Sequence, residues 1–333
     1  MFTVQVFSIK MTTKKHLLLL LMSVLPVVTP KRDVYCETEV HYTYYPTSDI
    51  ICRNINIQRN EAIDLKDHSQ RTIVDKIQLI SVTADVQSST LQNFPAAQQL
   101  LIFDSTIKSF SLQSNITTLN VSNSIFPKIT SDSLKGKDLL SVTFMSNYDL
   151  EFEKGAFKQL QALRELIIVN QTIPRIQRHL FTGLVNLRYL CLIASNIQEI
   201  DEDAFLDLSR LDRLYLDANP IKTFSTNLCA LTHLDRLSLS NTNLKKLNFD
   251  VLGPVKSLSS VGLPRQLLKT INVTDLVTKI PDLRVVGIDF MELQCPDVIS
   301  FMDELKKKEV RVMPIKIEDI WYHHRDIDKP SMC

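Results

Sequence analysis

Apolar residues return to the same places again and again between Cys52 and Leu293. In LDRLYLDANPIKTF, from Leu211 to Phe224, they stand at places 1, 4, 6, 11 and 14, and Asn219 stands at place 9. LRYLCLIASNIQEI from Leu187 and LDRLSLSNTNLKKL from Leu234 repeat the arrangement. The register also starts at Cys52, Val74, Ala97, Ile116, Leu139, Leu163, Leu258 and Leu283, giving eleven copies 19 to 25 residues apart. Places 4 and 6 are i and i+2 of a strand, so their side chains share one face and point into a core. Leu190 with Leu192, Leu214 with Leu216, and Leu237 with Leu239 are such pairs. Places 3, 5 and 7 face the other way. A second apolar landmark lies 18 residues after each start, at Leu134, Phe157, Phe181, Phe205, Cys229, Leu252 and Leu276. Between strand and landmark there is room for a turn or a short helix.

A period of about 24 residues with these places identifies the leucine-rich repeat. One unit cannot bury its own apolar face, so the units stack into an α/β solenoid. A curved parallel β-sheet is expected on the concave face, with short helices and turns on the convex face. At about 4.8 Å per strand the sheet is on the order of 50 Å long. Place 9 favours Asn because its amide can serve backbone groups in the bend after the strand. Asn60, Asn147 and Asn219 fill it, while Ser105, Ser124, Gln171, Ser195 and Thr242 replace it elsewhere.

The ends add to this picture. Lys14, Lys15 and His16 precede an apolar run from Leu17 to Leu25, the pattern of a secretory signal peptide. The run is too short for a membrane span, and translation from Met11 instead of Met1 gives the more usual amino-terminal region. The chain divides into a signal peptide over 1–32, an amino-terminal cap over 33–51, repeats over 52–294, and a carboxy-terminal cap and tail over 295–333. No later stretch spans a bilayer, so the mature chain is expected in extracellular fluid. Sequons at Asn115, Asn120, Asn170 and Asn272 agree with that route.

Cysteines sort by register. Cys36 and Cys52 flank the start of the repeats, and a bridge between them would cap the open end of the stack. Cys295 opens CPDVISFMDELKKK, where Val298, Phe301, Met302 and Leu305 fall on one side of a helix. Its partner is Cys333, unless Cys333 bridges to another chain. Cys229 stands at a convex landmark and reads as a buried thiol. Cys191, at place 5, is expected on the outward face, as a thiol open to solvent or half-covered by Tyr189 and Tyr215. A covalent oligomer through Cys191 or Cys333 is the alternative these positions leave open.

Catalytic chemistry finds no footing. His323 and His324 lack acidic or cysteine ligands at metal spacing, so no metal or cofactor is expected. Six glycines form no phosphate-cradling loop, and the chain reads as non-enzymatic. The net charge is +1 and no basic stripe appears, so nucleic acid is not an expected partner. A binding surface is better marked: Met145, Ile167, Val169, Tyr189, Cys191, Ile193 and Tyr215 occupy outward places of four adjacent repeats. A contiguous apolar patch on a face expected to be wet marks an interface. Arg213, Asp217 and Arg236 border it and are expected to add directional contacts.

The signal peptide, cysteine-bounded caps and 24-residue copies resemble the extracellular leucine-rich repeat proteins over residues 36 to about 310. The short form with degenerate Asn places is similar to the mosquito leucine-rich immune proteins. The coiled coil and paired cysteines of their longer members do not follow here. That resemblance implies innate immune recognition or scaffolding. The partner is then an extracellular protein, an immune effector or another leucine-rich repeat chain. An adhesion or receptor-ligand module acting in development is the alternative.

Overall fold

The computed structural model describes residues 33–41, 47–65, 74–113, 115–289 and 296–315. The expectations for the signal peptide, Cys295, Cys333, His323 and His324 lie outside them. Among the described residues, thirteen strands form one continuous sheet. All neighbours pair in parallel except the first strand, Glu37–His41, which runs antiparallel to Thr47–Arg53. Glu165–Val169, Tyr189–Ile193, Arg213–Tyr215 and Arg236–Ser238 then follow in unbroken register. The protein is a leucine-rich repeat solenoid.

Places 4 and 6 do what their spacing dictates. Leu190, Leu192, Leu214, Leu216, Leu237 and Leu239 are all buried in one core that runs the length of the stack. On the convex side Leu134, Phe157, Phe181, Phe205, Leu252 and Leu276 are buried as expected. Phe181 and Phe205 stack with centroids 6.1 Å apart and rings inclined by 18°. Turns and single turns of 3-10 helix occupy most convex segments; among the described residues the longer helices are Val273–Lys279 and Pro296–Lys307. Short repeats have no room for more.

Cys229 departs from its expected place and is exposed. The Asn227 side chain accepts from the Cys229 amide at 2.9 Å, and the Asn227 amide donates to the carbonyl of Glu202 at 2.7 Å. This turn advances the chain by one residue, so Leu228 takes the buried position.

The first repeat also differs. Cys52 pairs with Leu79, and Ile50 with Ile77, so Cys52 stands at place 6 and the repeat begins at Thr47. Asn60 is therefore not at place 9 and is exposed. Cys36 and Cys52 form the expected disulfide. Because Cys52 lies in the sheet itself, the bridge ties the cap to the core.

At the other end the helix Pro296–Lys307 buries Val298, Phe301 and Leu305. The strand Arg311–Ile315 then extends the sheet in parallel with Val285–Asp289. The sequence pattern gave no hint of that strand, because it carries only part of the repeat.

Two hydrogen-bond ladders lock the repeats together. At place 8, Asn54, Ser81, Asp104, Asn123, Ser146, Asn170, Ala194, Ala218 and Asn241 all have φ between 48° and 55°. This left-handed turn lets the amide at place 8 donate to the place-7 carbonyl of the next repeat. Asn170 donates to Ile193 at 3.0 Å, and Ala194 to Asp217 at 3.0 Å. Asn and Asp tolerate that conformation best, which explains five of the nine. At place 9 several amides donate to the next repeat's polar side chain: Val82 to Ser105 at 3.1 Å, Ser105 to Ser124 at 3.1 Å, and Ser124 to Asn147 at 3.1 Å. Serine suffices because its hydroxyl both accepts that amide and donates to a carbonyl two residues back, as Ser105 does to Phe103 at 2.6 Å.

Candidate functional site

Alternation puts places 3, 5 and 7 of every strand on the concave face, and parallel register lines them up in columns. Ile167, Cys191 and Tyr215 form one column, while Met145, Val169 and Ile193 form the next. Together they make a second apolar cluster, on the opposite side of the sheet from the main core. Tyr189 and Tyr215 lie across it with ring centroids 5.4 Å apart.

The cluster is drier than its positions suggest. Ile167, Val169, Cys191 and Ile193 are only 0–6% exposed, so the expected wet patch is corrected. Side chains one strand apart along the column pack laterally, and bulky residues at both places leave little of the floor open. The accessible part is the half-buried rim of Met145, Tyr189, Tyr215, Ala194 and Ala218.

Of the two expectations for Cys191, the covered thiol holds and goes further than expected: it is buried in the cluster against which Tyr189 and Tyr215 pack. Burial pushes its thiol well above the usual range, and the Asp217 carboxylate adds to the effect. It stays protonated and unreactive at neutral pH, which removes it as a route to a covalent oligomer. The exposed free thiol among the described residues is Cys229.

Asp217 is a second correction. It is fully buried, so it offers no directional contact to a partner. The Ser238 hydroxyl donates to its Oδ1 at 2.5 Å, while Oδ2 meets no hydrogen-bond partner. Gly262 makes the Ser238 position available, since a Cβ there would come within 2.1 Å of that hydroxyl. Burial pushes the Asp217 carboxyl up from 3.8 to about 6. The Ser238 bond and the nearby amide and hydroxyl of Ser240 pull the other way without restoring it. An acid whose pKa rises on folding favours the folded state below its unfolded pKa. That contribution is lost as the pH climbs through the folded value. Asp217→Asn is thus expected to gain about 3 kcal/mol on the native protein between pH 4 and pH 7. Denaturant unfolding of both proteins across that range checks it, and a constant difference between them would show that Asp217 ionises normally.

Arg213 and Arg236 do stand exposed at the border, paired with Asp212 at 3.2 Å and Asp235 at 3.4 Å. These are surface pairs of little energetic weight, so both guanidinium groups are available to a partner. At the repeat of Thr118–Ser122 the face turns polar, with Asn120 half-buried and its Oδ1 accepting from Ser122 at 2.9 Å. Asn115, Asn170 and Asn272 are exposed. Asn170 sits at place 8, on the rim beside the cluster, with its side-chain amide donating to Ser146 at 3.1 Å. Among the described residues no group of three His, Cys, Asp or Glu side chains gathers as a metal site. No helix among them is long and apolar enough to cross a membrane.

A leucine-rich repeat family model matches residues 161–221, the stretch that carries this cluster. The chain is 33% identical to mouse CD180 antigen over 102 residues, which is 30% of this chain and 15% of that protein. It is 26% identical to human Toll-like receptor 8 over 183 residues, 48% of this chain and 17% of the receptor. The chain thus spans less than a fifth of the curated relatives it matches. Among solved structures, the TLR13–ssRNA13 complex superposes with a TM-score of 0.55 at 18% identity, over 72% of this chain and 41% of that one. A chain of the octameric complex of Latrophilin 3, Unc5D and FLRT2 gives a TM-score of 0.50 at 15% identity, over 73% and 84%. At such identities the structural likeness speaks to the fold.

Proposed function

We propose that this chain is a secreted, glycosylated recognition protein that catalyses nothing and binds an extracellular protein on its concave face. The observation that carries the reading is the second apolar cluster. A sheet face that meets only water has no reason to gather Ile167, Val169, Cys191 and Ile193 beneath two tyrosines. Interfaces favour this composition: aromatic rings at the centre, arginines at the border. Tyr189 and Tyr215 are the anchors, and Arg213 and Arg236 supply direction. Glycans at Asn120 and Asn170 would confine access to the carboxy-terminal half of the face.

Innate immune recognition or scaffolding is the leading role, supported by the similarity to CD180 antigen and Toll-like receptor 8. The resemblance to the short mosquito immune proteins points the same way. Adhesion is the second reading, and a developmental tissue pattern in place of induction by infection would favour it.

Tyr189→Ser with Tyr215→Ser tests the site, because both rings are half-exposed and their loss leaves the main core intact. Replacing Ile193 instead would bury a polar group and confound binding with folding. Affinity for a partner captured from haemolymph or plasma by the wild-type chain is expected to fall at least about 100-fold, as for two central hot spots. Unchanged affinity in a variant with native circular dichroism would place the interface elsewhere.

A further inference from the structure

We propose a second binding surface, for a sulfated polysaccharide, along the edge of the sheet where the strands begin. The turns that lead into Ser141–Met145, Glu165–Val169 and Tyr189–Ile193 enclose an open cleft of about 750 Å³. Lys135, Lys137, Lys158, Gln159, Gln161 and Asn186 line it. Arg164 and Arg188 continue the row at the strand entrances. The Arg164 amide donates to Leu140, and the Arg188 amide to Arg164, each at 2.8 Å. The two arginines thus stand one strand spacing apart, about 4.8 Å. Arg210 closes the row, with its guanidinium on the Asn186 side-chain oxygen at 2.6 Å.

Apart from Lys135, these cations are not spent on carboxylates. Lys135 pairs with Asp132 at 2.8 Å. Lys137, Lys158, Arg164, Arg188 and Arg210 are exposed and form no ion pair among the described residues. The exposed acids within the row are Asp132 and Asp138, and Asp212 follows Arg188 at the next strand entrance. Within a chain of net charge +1, this edge thus carries a local excess of positive charge. In sequence order the cations are scattered over some seventy residues, which is why no basic stripe shows there.

The side chains between the cations decide the ligand class. Gln159 donates its amide to Ser131 at 2.8 Å, which leaves its Oε1 as an acceptor, and Gln161 reaches into the same cleft. Cations alternating with amides match a chain that alternates anionic groups with hydroxyls. No aromatic side chain lines the cleft, so it lacks the stacking platform that single-stranded nucleic acid uses. Its apolar content is Ala162, with Leu140 and Val185 exposed at the margin, short of the core that a protein interface requires. Lys and Arg rows of this kind bind polyanions by releasing counterions, so affinity falls steeply with salt.

The test uses the full secreted chain and immobilised heparin as the probe, with binding measured from low salt to about 0.3 M. Lys137→Glu with Lys158→Glu alters the row, and Lys245→Glu with Lys246→Glu makes the same charge change on exposed residues after a strand. The wild type is expected to bind at about 0.15 M salt, with log affinity falling linearly against log salt. The row variant is expected to lose at least about tenfold and to show a flatter slope, while the other pair stays within about twofold. Equal losses in both variants would mean attraction to net charge alone and would overturn the proposal. So would no binding by the wild type at about 0.15 M, or competition by a single-stranded oligonucleotide as effective as that by free heparin. The last result would reassign the row to nucleic acid.

Discussion

Asn219→Ala is expected to destabilise the protein by about 4 kcal/mol, several times the effect of a typical surface substitution. The side chain is 1% exposed and its amide is fully used. Its Oδ1 accepts from the amides of Ser195 at 2.9 Å and Ile197 at 3.0 Å. Its Nδ2 donates to the carbonyls of Leu192 at 2.6 Å, Leu216 at 2.8 Å and Asp217 at 3.1 Å. Truncation strands backbone groups of two repeats at once in a site that water does not reach, and each buried unsatisfied group costs about 1–3 kcal/mol. Ser195→Ala at the same place of the previous repeat is the comparison. Its hydroxyl bonds only the carbonyls of Ile168 and Ile193, so about 1 kcal/mol is expected there. Equilibrium denaturation of the secreted proteins measures both, and equal losses would show that the ladder at place 9 distributes its load evenly. Coupling in a solenoid passes between neighbours, so the Asn219 variant is also expected to unfold less cooperatively.

Gly183→Ala is expected to lower the melting temperature by about 5–10 °C, equivalent to about 3 kcal/mol. Gly183 has φ +95°, and a Cβ there would lie 2.4 Å from the carbonyl oxygen of Lys158 and 2.8 Å from its Cα. Those atoms are backbone of the preceding repeat, so the clash cannot be relieved by a side-chain rotation. The two convex turns must separate, and they carry the buried Phe157 and Phe181. Gly155→Ala distinguishes strain from collision. Its φ is also positive, at +71°, but its Cβ would meet only the flexible side chain of Lys158, at 3.5 Å. About 1 kcal/mol is expected from the left-handed conformation alone. A thermal melt in which the two variants coincide would exclude the inter-repeat contact as the cause.

Periodicity alone made the repeat architecture legible. Places 4 and 6 are set by the geometry of a strand, and every Leu pair tested there is buried. The ladder at place 9 was visible as a polar residue in an otherwise apolar register. The ladder at place 8 was not, because a left-handed turn accepts Asn, Asp, Ser and even Ala when the next strand supplies the hydrogen bond. Cys229 and Cys191 show the limit from both sides. A one-residue advance imposed by Asn227 exposed the first. Lateral packing between columns buried the second, though alternation placed it correctly on the concave face.

What the sequence determined by itself is what repeats: one apolar face per unit, which no unit can bury alone, and therefore a stack with a continuous core and a columned concave face. Tertiary structure decided everything that depends on residues from different repeats standing side by side. It turned Asp217 from a border charge into a buried acid, because Ser238 and Gly262 on the next strands close over it. It also drew Lys135, Lys137 and Lys158, from two repeats, to one cleft. The physical reason is the same in both: parallel strands about 4.8 Å apart bring together residues some two dozen positions distant. Burial and electrostatics are set by those neighbours, not by the neighbours in sequence.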